Sequence, residues 1–432
     1  MWENEQTRVF SVIKNVVIIV LILVMTGGLA YAVMHVRAAN QEHDKELSEI
    51  VSQQKQEQAA ARQDALDAIQ REYEKDLQTV ADYIPGIVCW GDKNTAAVSG
   101  TLNYPYVLQT YINTYLCDIY DFSSTIENAS DFARLKWDEY KIHIPVVNMG
   151  AGTESTYTVL GRAGAIPYVL EKDLVIPAGT EPVAIRFLSE SGKAVTPLTG
   201  GDAGINPVRI AGIEGTLAIN TEAYGSSTAA PSYTFTRSAP GRETTAEAGT
   251  VIETAGAELY KNYIHVVLVG IYGEYKDADD LVHQVHTLLE RQIQNPERFI
   301  VLGPYMNSTY SVSTYELEAI DTAMLQAFGS RYISIRKYLT GDGYADAGIS
   351  PSKEDDYYIT QNAVPPSFKI SSNSEELNSR AHRLVGRLIY NRMQSLGYFD
   401  EINSELGLAD TTKRILQSSP SYFDNIIKNI LK

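Results

Sequence analysis

The stretch Ile87–Thr95 reads Ile-Val-Cys-Trp-Gly-Asp-Lys-Asn-Thr and decides the fold. Its apolar half is typical of a buried strand, and Gly91-Asp92 is typical of a tight turn that ends such a strand. In an open α/β sheet, ligands and reacting groups gather beyond the carboxyl ends of the strands. Lys93 stands at that place in this chain, so Lys93 is the first candidate site residue.

Apolar strand patterns alternate with helical patterns after this stretch. The predicted strands are Ile87–Trp90, Ile144–Asn148, Tyr263–Ile271, Arg298–Leu302 and Tyr332–Ile335. The predicted helices are Tyr104–Tyr115, Asp279–Gln294, Ser313–Phe328 and Ser374–Leu396. Strands that alternate with helices indicate a parallel sheet covered on both faces. The sequence therefore predicts an α/β fold.

One internal region departs from this alternation. Between Ile166 and Lys261 the helical period vanishes, and short β-like runs are punctuated by glycines. Such runs are Ala184–Leu188, Gly215–Ile219 and Ser232–Thr236. Short strands at regular spacing indicate an all-β unit. We therefore predict a β-rich insertion over residues 166–261.

The N-terminal region contains a long apolar run. Val16–Val36 has 21 residues and no Asp, Glu, Lys or Arg. At ~1.5 Å per residue a helix of this length spans ~31 Å, about one bilayer core. Leu29–Ala32 resembles a small-residue cleavage site, so a signal peptide is the alternative. Because the run exceeds a typical signal core, we favour an uncleaved single-pass transmembrane helix.

Residues 37–83 are charged and contain no Gly or Pro. Apolar side chains recur there at steps of three and four, at Leu66, Ile69, Tyr73, Leu77, Val80 and Ile84. The pattern predicts a helical stalk. Two interpretations remain open: a coiled coil that forms a homo-oligomer, and a helix whose last third packs on its own domain.

Composition excludes several function classes. The net charge of -17 would repel phosphate, so we expect no nucleic-acid partner. The two cysteines, Cys89 and Cys117, form no CxxC pair, and we interpret them as buried thiols, with a disulfide as the alternative. The histidines lack metal-ligand spacing apart from His283 and His286, which we interpret as surface residues. We expect no metal and no cofactor.

Four blocks carry a resemblance to a known family. They are Trp90–Lys93, Val146–Gly150, Val267–Tyr272 and Asn373–Asn378. In their order and spacing, over Ile84–Phe399, they resemble the blocks of the SGNH (GDSL-type) esterases and lipase-like hydrolases. The resemblance implies a three-layer αβα, flavodoxin-like parallel sheet. It also implies an acyl-transfer site with a Ser nucleophile, a His base, an orienting Asp, and a Gly and an Asn that hold the oxyanion.

This chain departs from the family pattern at each of those positions. The Ser, His, Asp, Asn and Gly positions hold Lys93, Glu376, Asn373, Tyr272 and Thr153, with Gly152 as the alternative match for the last. A Lys, with an ordinary pKa of ~10.4, is a poor nucleophile at neutral pH, and a Glu, at ~4.3, is a weaker base than His. The resemblance therefore implies a divergent member without the catalytic residues. If the blocks meet as in the family, Lys93 and Glu376 form an ion pair in place of Ser and His.

Two functions from different classes follow as hypotheses. The first is a catalytically inactive, membrane-anchored protein of the cell envelope that binds glycan or a protein partner, or acts as a scaffold. The second is an esterase or O-acetyltransferase with rebuilt chemistry, in which Thr95 supplies a hydroxyl and Asp92 or Lys93 takes part. A third interpretation is a structural assembly component built on the stalk.

The predicted organisation places the large C-terminal part outside the cytoplasm. This placement rests on the single N-terminal anchor and on the resemblance, because Lys and Arg are nearly balanced around the apolar run. The predicted segments are a cytoplasmic N-terminus (1–15), a transmembrane helix (16–36), a stalk (37–83), an SGNH-like domain (84–165 and 262–398), the β-rich insertion (166–261) and a helical tail (399–432).

Overall fold

The structure is a computed structural model of the chain. It describes residues 82–96, 102–118, 144–152, 154–190, 192, 195–220, 232–292, 298–305, 314–372 and 374–405, with scattered residues between 21 and 75. The chain divides into two units, Met1–Asp76 and Leu77–Lys432. The predicted transmembrane helix lies almost entirely outside the described residues. Among the residues that are described, none belongs to a helix long and apolar enough to cross a bilayer.

The second unit is a mixed α/β structure. Its strands are β1 (Ile87–Gly91), β2 (Val146–Gly150), β3 (Tyr168–Leu170), β4 (Leu174–Ile176), β5 (Val183–Ile185), β6 (Phe187–Ser189), β7 (Val208–Ile210), β8 (Ile213–Asn220), β9 (Ser232–Arg237), β10 (Thr244–Ala246), β11 (Val251–Glu253), β12 (Ile264–Leu268), β13 (Phe299–Leu302) and β14 (Tyr332–Ile333). Its helices are α1 (Tyr104–Asp118), α2 (Thr156–Arg162), α3 (Ala255–Leu259), α4 (Ala278–Gln292), α5 (Thr314–Phe328), α6 (Ile335–Thr340), α7 (Gly343–Ala347), α8 (Lys353–Thr360), α9 (Ser379–Ser395) and α10 (Asp400–Glu405).

A five-stranded parallel sheet forms the centre of this unit. Its order is β14-β13-β12-β1-β2, and every pairing is parallel. Strands β1 and β12 are buried along their whole length, as expected for strands covered on both faces. The five strands predicted from the apolar runs are present, and β1, the opening stretch of the sequence, lies between β12 and β2.

Helices cover this sheet through buried apolar side chains. One core cluster joins Val88, Trp90 and Val267 of the strands to side chains of α2, α4 and α5. Helices α1 and α9 pack against each other, and α1 also packs against β2. Helix α4 shows the pattern that drives this packing, because Leu281, Val285, Leu288 and Leu289 are buried on one face.

The last long helix begins later than the sequence predicts. We expected it from Ser374, but α9 starts at Ser379. The physical reason is the side chain of Asn378, whose Oδ1 accepts a hydrogen bond from the Ala381 N–H at 3.0 Å and caps the helix. Residues 374–378 are therefore a loop. This loop carries Glu375 and Glu376.

The predicted β-rich region forms an antiparallel sheet of seven strands in the order β5-β9-β8-β7-β11-β3-β6. Strands β5 and β6 lie at opposite ends of that order but are joined by the single residue Arg186. The segment Val183–Ser189 thus pairs with β9 through one half and with β3 through the other. The sheet closes on itself as a small barrel. Strands β4 and β10 form a separate antiparallel pair.

The barrel has its own apolar core. Phe187 marks the closure, because its ring lies 5.7 Å from the ring of Tyr168 on β3 and 4.8 Å from that of Tyr233 on β9. These rings belong to a buried cluster that also contains Ile210, Leu217 and Phe235 among others. The region is not purely β, since the short helix α3 follows β11.

Candidate functional site

The candidate site lies beyond the carboxyl end of β1. Residues Asp92–Ala96 form a turn in which the N–H groups of Thr95 and Ala96 donate to the carbonyl oxygen of Asp92 at 3.0 and 2.9 Å. The turn packs directly on the end of β2. A Cβ at Gly150 would lie 2.0 Å from the Ala96 nitrogen, so this position accepts only glycine without a shift of the backbone.

Lys93 projects from this turn toward the loop before α9. Its Nζ lies 3.0 Å from Oε1 of Glu376 and 3.4 Å from Oε2 of Glu375. The predicted Lys93–Glu376 ion pair is therefore confirmed. The second carboxylate, Glu375, was not predicted, although the tandem Glu375-Glu376 is visible in the sequence.

Tyr272, which follows β12, completes this cluster. Its hydroxyl donates to Oε2 of Glu375 at 2.8 Å, and the Lys93 Nζ lies 5.5 Å from the centre of its ring. The hydroxyl of Tyr305, beyond β13, donates to the backbone oxygen of Glu375 at 3.3 Å. Three strand ends thus hold the loop in place through Lys93, Tyr272 and Tyr305.

The electrostatics of Lys93 bear on its chemistry. Partial burial lowers the pKa of Lys93, but the hydrogen bonds and negative charges of Glu376 and Glu375 outweigh this effect and raise the pKa above its ordinary value. The ammonium is therefore protonated at neutral pH. This finding argues against Lys93 as a base, because that role requires a lowered pKa. Burial, together with the hydrogen bond to Glu375, raises the pKa of Tyr272.

Asp92 is the buried acid of the site. Its side chain is 2% exposed, and its Oδ1 accepts hydrogen bonds from the N–H of Asn94 at 2.8 Å and from Nδ2 of Asn94 at 3.2 Å. Burial raises the pKa of Asp92 to about 7, even though the bonds from Asn94 and the charge of Lys93 act in the other direction. Among the described residues, Oδ2 of Asp92 has no hydrogen-bond partner.

Thr95 does not present an accessible hydroxyl, which a nucleophile would require. Its side chain is fully buried, and Oγ1 pairs with the hydroxyl of Tyr104 at 2.9 Å. The ring of Tyr104 in turn stacks on the ring of His382. Burial lowers the pKa of His382 to about 4, so this histidine is neutral at physiological pH. Thr95 therefore belongs to a buried packing cluster.

A buried ion pair lies beneath the strand ends. Arg162 on α2 is fully buried and donates from Nε to Oε2 of Glu154 at 2.6 Å. Its Nη2 donates to the carbonyl oxygens of Gly91 at 3.1 Å and Met149 at 3.0 Å, so one side chain ties β1 to β2. Its Nη1 donates to the carbonyl oxygen of Ala203 at 2.5 Å. No role was predicted for this pair, because only the fold brings these groups together.

Glu154 keeps a free acceptor despite this partner. Burial raises the pKa of Glu154, and the charge and hydrogen bond of Arg162 offset part of that rise. Its second oxygen, Oε1, has no partner among the described residues.

Two further predicted positions, Thr153 and Asn373, lie outside the described residues.

The remaining sequence predictions concern thiols and metals. Cys89 on β1 is a buried free thiol, and burial raises its pKa, which makes it unreactive. The side chain of Cys117 lies outside the described part. Within the described ranges, no three His, Cys, Asp or Glu side chains are grouped to hold a metal ion.

Comparison with known proteins gives no family assignment. No protein-family model, curated protein or solved structure matches this chain. The class of protein that fold and site define is therefore an α/β protein with a parallel five-stranded sheet, an antiparallel barrel and an ion-paired cluster at the carboxyl edge of the parallel sheet.

Proposed function

We propose that this chain is a membrane-anchored, extracytoplasmic, SGNH-like protein that is catalytically inactive. Its role is to bind a glycan or a protein partner of the cell envelope, or to act there as a scaffold. The α/β part forms the three-layer αβα arrangement of that family, and the β-rich insertion extends it.

One observation carries the proposal. The Lys93 ammonium lies 3.0 Å from Glu376 and 3.4 Å from Glu375, at the position where the resemblance puts a nucleophile and its base. Acyl transfer requires a nucleophile that loses a proton to a neighbouring base. Lys93 holds its proton more firmly than usual, and both of its partners are carboxylates. The pair therefore occupies the place of the reaction without supplying its chemistry.

The order of the strands also supports the proposal. The blocks that carry the resemblance end strands β1, β2 and β12, which are neighbours in the sheet, and the fourth block lies in the loop before α9. Contacts of Lys93 and Tyr272 with Glu375 join three of these blocks. The membrane anchor, the extracytoplasmic location and the stalk-mediated homo-oligomer remain proposals that rest on the sequence alone.

An ester assay tests the absence of catalysis. The full chain, purified in detergent, is incubated with p-nitrophenyl acetate and with O-acetylated envelope oligosaccharides, and product is followed over time. We expect rates equal to those of the Lys93→Ala variant and of buffer. Saturable turnover that disappears in Lys93→Ala or Asp92→Asn would overturn the proposal.

A binding assay tests the proposal that the protein binds an envelope glycan. Tryptophan and tyrosine fluorescence of the full chain is measured while soluble fragments of envelope glycan are added. We expect saturable binding that weakens at least tenfold in Glu376→Gln and is unchanged in Glu253→Gln, which removes an exposed carboxylate of the barrel. If the two variants bind alike, the cluster is not the binding site.

A rebuilt esterase or O-acetyltransferase is the second candidate. The observation in its favour is Asp92, a buried acid with a pKa near neutrality and a free oxygen at the edge of the sheet. A group that exchanges protons near pH 7 suits general acid–base chemistry. Thr95 does not supply the nucleophile in this arrangement, since its hydroxyl is buried and paired with Tyr104. The ester assay above decides between the two candidates.

A further inference from the structure

A surface pocket lies where the outer face of the barrel meets helix α3. Its volume is about 150 Å³, and residues of β7, β8, β11 and α3 line it. Sites for drug-sized ligands are larger, at roughly 300–1,000 Å³, whereas a cavity of about 150 Å³ holds a benzene-sized group. The pocket therefore suits a single side chain or a small molecule of that size.

A row of charged side chains crosses three neighbouring strands at this pocket. Arg209 on β7 lies directly opposite Glu214 on β8 and Glu253 on β11. Residues directly opposite each other in an antiparallel sheet share one face, so these three side chains lie side by side. Arg209 is exposed while its neighbours Val208 and Ile210 are buried. The row therefore lies on the outer face of the barrel, and all three charged residues line the pocket.

Helix α3 adds apolar surface and a third carboxylate to the lining. Its last two residues, Glu258 and Leu259, line the pocket. The side chain of Leu259 is 61% exposed, and the exposed Pro207 before β7 also belongs to the lining. The pocket thus presents accessible apolar surface beside accessible carboxylates.

The charges at the pocket do not balance. Arg209 pairs with Glu253, because its Nη1 lies 3.4 Å from Oε2 of Glu253. Lys261 pairs with Glu258, because its Nζ lies 2.6 Å from Oε2 of Glu258. The third carboxylate, Glu214, is exposed, and its side chain has no ion-pair or hydrogen-bond partner among the described residues. Three carboxylates therefore face two cations, and the carboxylate of Glu214 is open to a ligand.

A cationic ligand with an apolar stem fits this lining. A carboxylate only accepts hydrogen bonds, so the open group of Glu214 requires a donor. Lysine and arginine lay their apolar stems along apolar surface and keep the charged end in a polar environment. A guanidinium is suited to planar, bidentate acceptors, whereas an ammonium is a compact charge that a single carboxylate can hold. The single open carboxylate therefore favours lysine.

We propose that this pocket binds a lysine side chain of a partner protein. The lysine stem packs on Leu259 and Pro207, and its ammonium donates to the carboxylate of Glu214. None of the residues that line the pocket belongs to the cluster of Lys93 and its two glutamates. The lysine site is therefore independent of whether that cluster is catalytically inactive or binds a glycan.

Saturation-transfer difference NMR tests the site, because it detects weak binding and shows which ligand protons touch the protein. The full chain in deuterated detergent is mixed with the peptide acetyl-Gly-Lys-Gly-amide. We expect the strongest transfer at the CH₂ protons of the lysine side chain. The matched norleucine peptide keeps the apolar stem but lacks the ammonium, so it should bind about threefold to fivefold more weakly.

Three variants assign the binding to this pocket. Glu214→Gln removes the open carboxylate and should weaken binding of the lysine peptide about threefold to fivefold. Arg209→Gln frees the carboxylate of Glu253 from its cation, so binding should become stronger. Glu243→Gln changes an exposed carboxylate outside the lining and should leave binding unchanged.

Three outcomes would overturn the site. The first is equal transfer to the lysine and norleucine peptides, because the ammonium would then make no contact of its own. The second is equal weakening in Glu214→Gln and Glu243→Gln, which would indicate general attraction to an acidic surface. The third is weaker binding in Arg209→Gln. All three changed side chains are exposed, so the variants should fold as the unchanged chain does, and thermal unfolding checks this.

Discussion

The indole Nε1 of Trp90 donates a hydrogen bond to Nδ1 of His265, 3.1 Å away, between two adjacent strands of the parallel sheet. Nε2 of His265 lies 3.0 Å from the carbonyl oxygen of Tyr260. The bond from Trp90 requires an unprotonated Nδ1. His265 is therefore held as the neutral tautomer that carries its proton on Nε2.

This relationship makes stability depend on pH. Burial lowers the pKa of His265 to about 4 from 6.5. The unfolded chain therefore binds more protons than the folded chain between those values, and stability falls as the pH drops from 6.5 toward 4. We expect His265 to account for roughly 3 kcal/mol of that loss. Urea unfolding at pH 7 and pH 4.5 measures it.

A matched pair of variants isolates this effect. His265→Asn keeps an acceptor for Trp90 but does not titrate, so its unfolding free energy should depend less steeply on pH. His283→Gln, on an exposed position of α4, should follow the unchanged chain. His382, also buried with a pKa of about 4, leaves part of the slope in both variants. Equal slopes in the two variants would contradict the assignment to His265.

The ion-paired cluster should contribute measurably to stability. Lys93→Met removes the ammonium that pairs with Glu375 and Glu376. The side chains of Lys93, Glu375 and Glu376 are 24%, 16% and 21% exposed, so solvent screens the pair in part. We expect a loss of about 1–2 kcal/mol in urea unfolding, between the values for surface and buried pairs.

A double-mutant cycle separates the pair from the packing. Lys93→Met and Glu376→Gln, singly and together, should give a coupling energy of about 1 kcal/mol. The same cycle at the exposed pair Arg209–Glu253 should give less than about 0.5 kcal/mol. A coupling energy near zero at Lys93–Glu376 would show that the pair does not stabilise the loop.

Arg162 should be the least replaceable charged side chain of the site. Its guanidinium reaches Glu154 and the carbonyl oxygens of Gly91, Met149 and Ala203 at once. Arg162→Lys keeps the charge but lacks the planar fork that reaches several acceptors. We expect a loss of about 3–5 kcal/mol, because buried acceptors and Glu154 are left unpaired.

The control for this change is Arg186→Lys, at the exposed residue that joins β5 to β6. It should alter the free energy of unfolding by less than about 0.5 kcal/mol. If Arg162→Lys were equally mild, then Arg162 would not be what holds β1 to β2.

Gly150 should tolerate no side chain. A Cβ there would lie 2.0 Å from the backbone nitrogen of Ala96, and backbone cannot move aside as a flexible side chain does. We expect Gly150→Ala to destabilise by more than about 2 kcal/mol in thermal and urea unfolding. Gly179→Ala is the control, because the three atoms nearest to its Cβ would all belong to the end of the flexible Glu181 side chain. Similar stabilities of the two variants would show that the turn does not pack on β2 as described.

The parallel sheet could be predicted because its signal is local. Strands such as Ile264–Leu268 are apolar apart from His265, and α4 repeats its apolar positions every three or four residues. The start of α9 was wrong because Ser374 resembles a helix cap, while the structure uses Asn378 instead. A helix is capped by the side chain that lies close enough to accept a hydrogen bond from a free N–H of its first turn. The loop held by Lys93 and Tyr272 places Asn378 in that position.

The candidate site could be predicted only in part. Lys93 and Glu376 were paired from the order of the blocks, and their ion pair is confirmed. Glu375 was missed because a pattern of single positions does not indicate which of two adjacent carboxylates a tyrosine will contact. Arg162 and Glu154 were missed because their importance comes from the burial of their ion pair, and only the packed strands create that burial. The barrel closure through Arg186 was missed because it depends on strand pairings between residues that are distant in sequence.

That closure has a consequence for how the chain meets other chains. Open sheets expose unpaired N–H and C=O groups along their outer strands, and these groups recruit strands of other molecules into aggregates. In the seven-stranded sheet, Val183–Ser189 pairs with β9 through β5 and with β3 through β6, so neither half of this segment is without a strand partner. Strand addition along Val183–Ser189 is therefore limited to the side of each half that β9 or β3 leaves open.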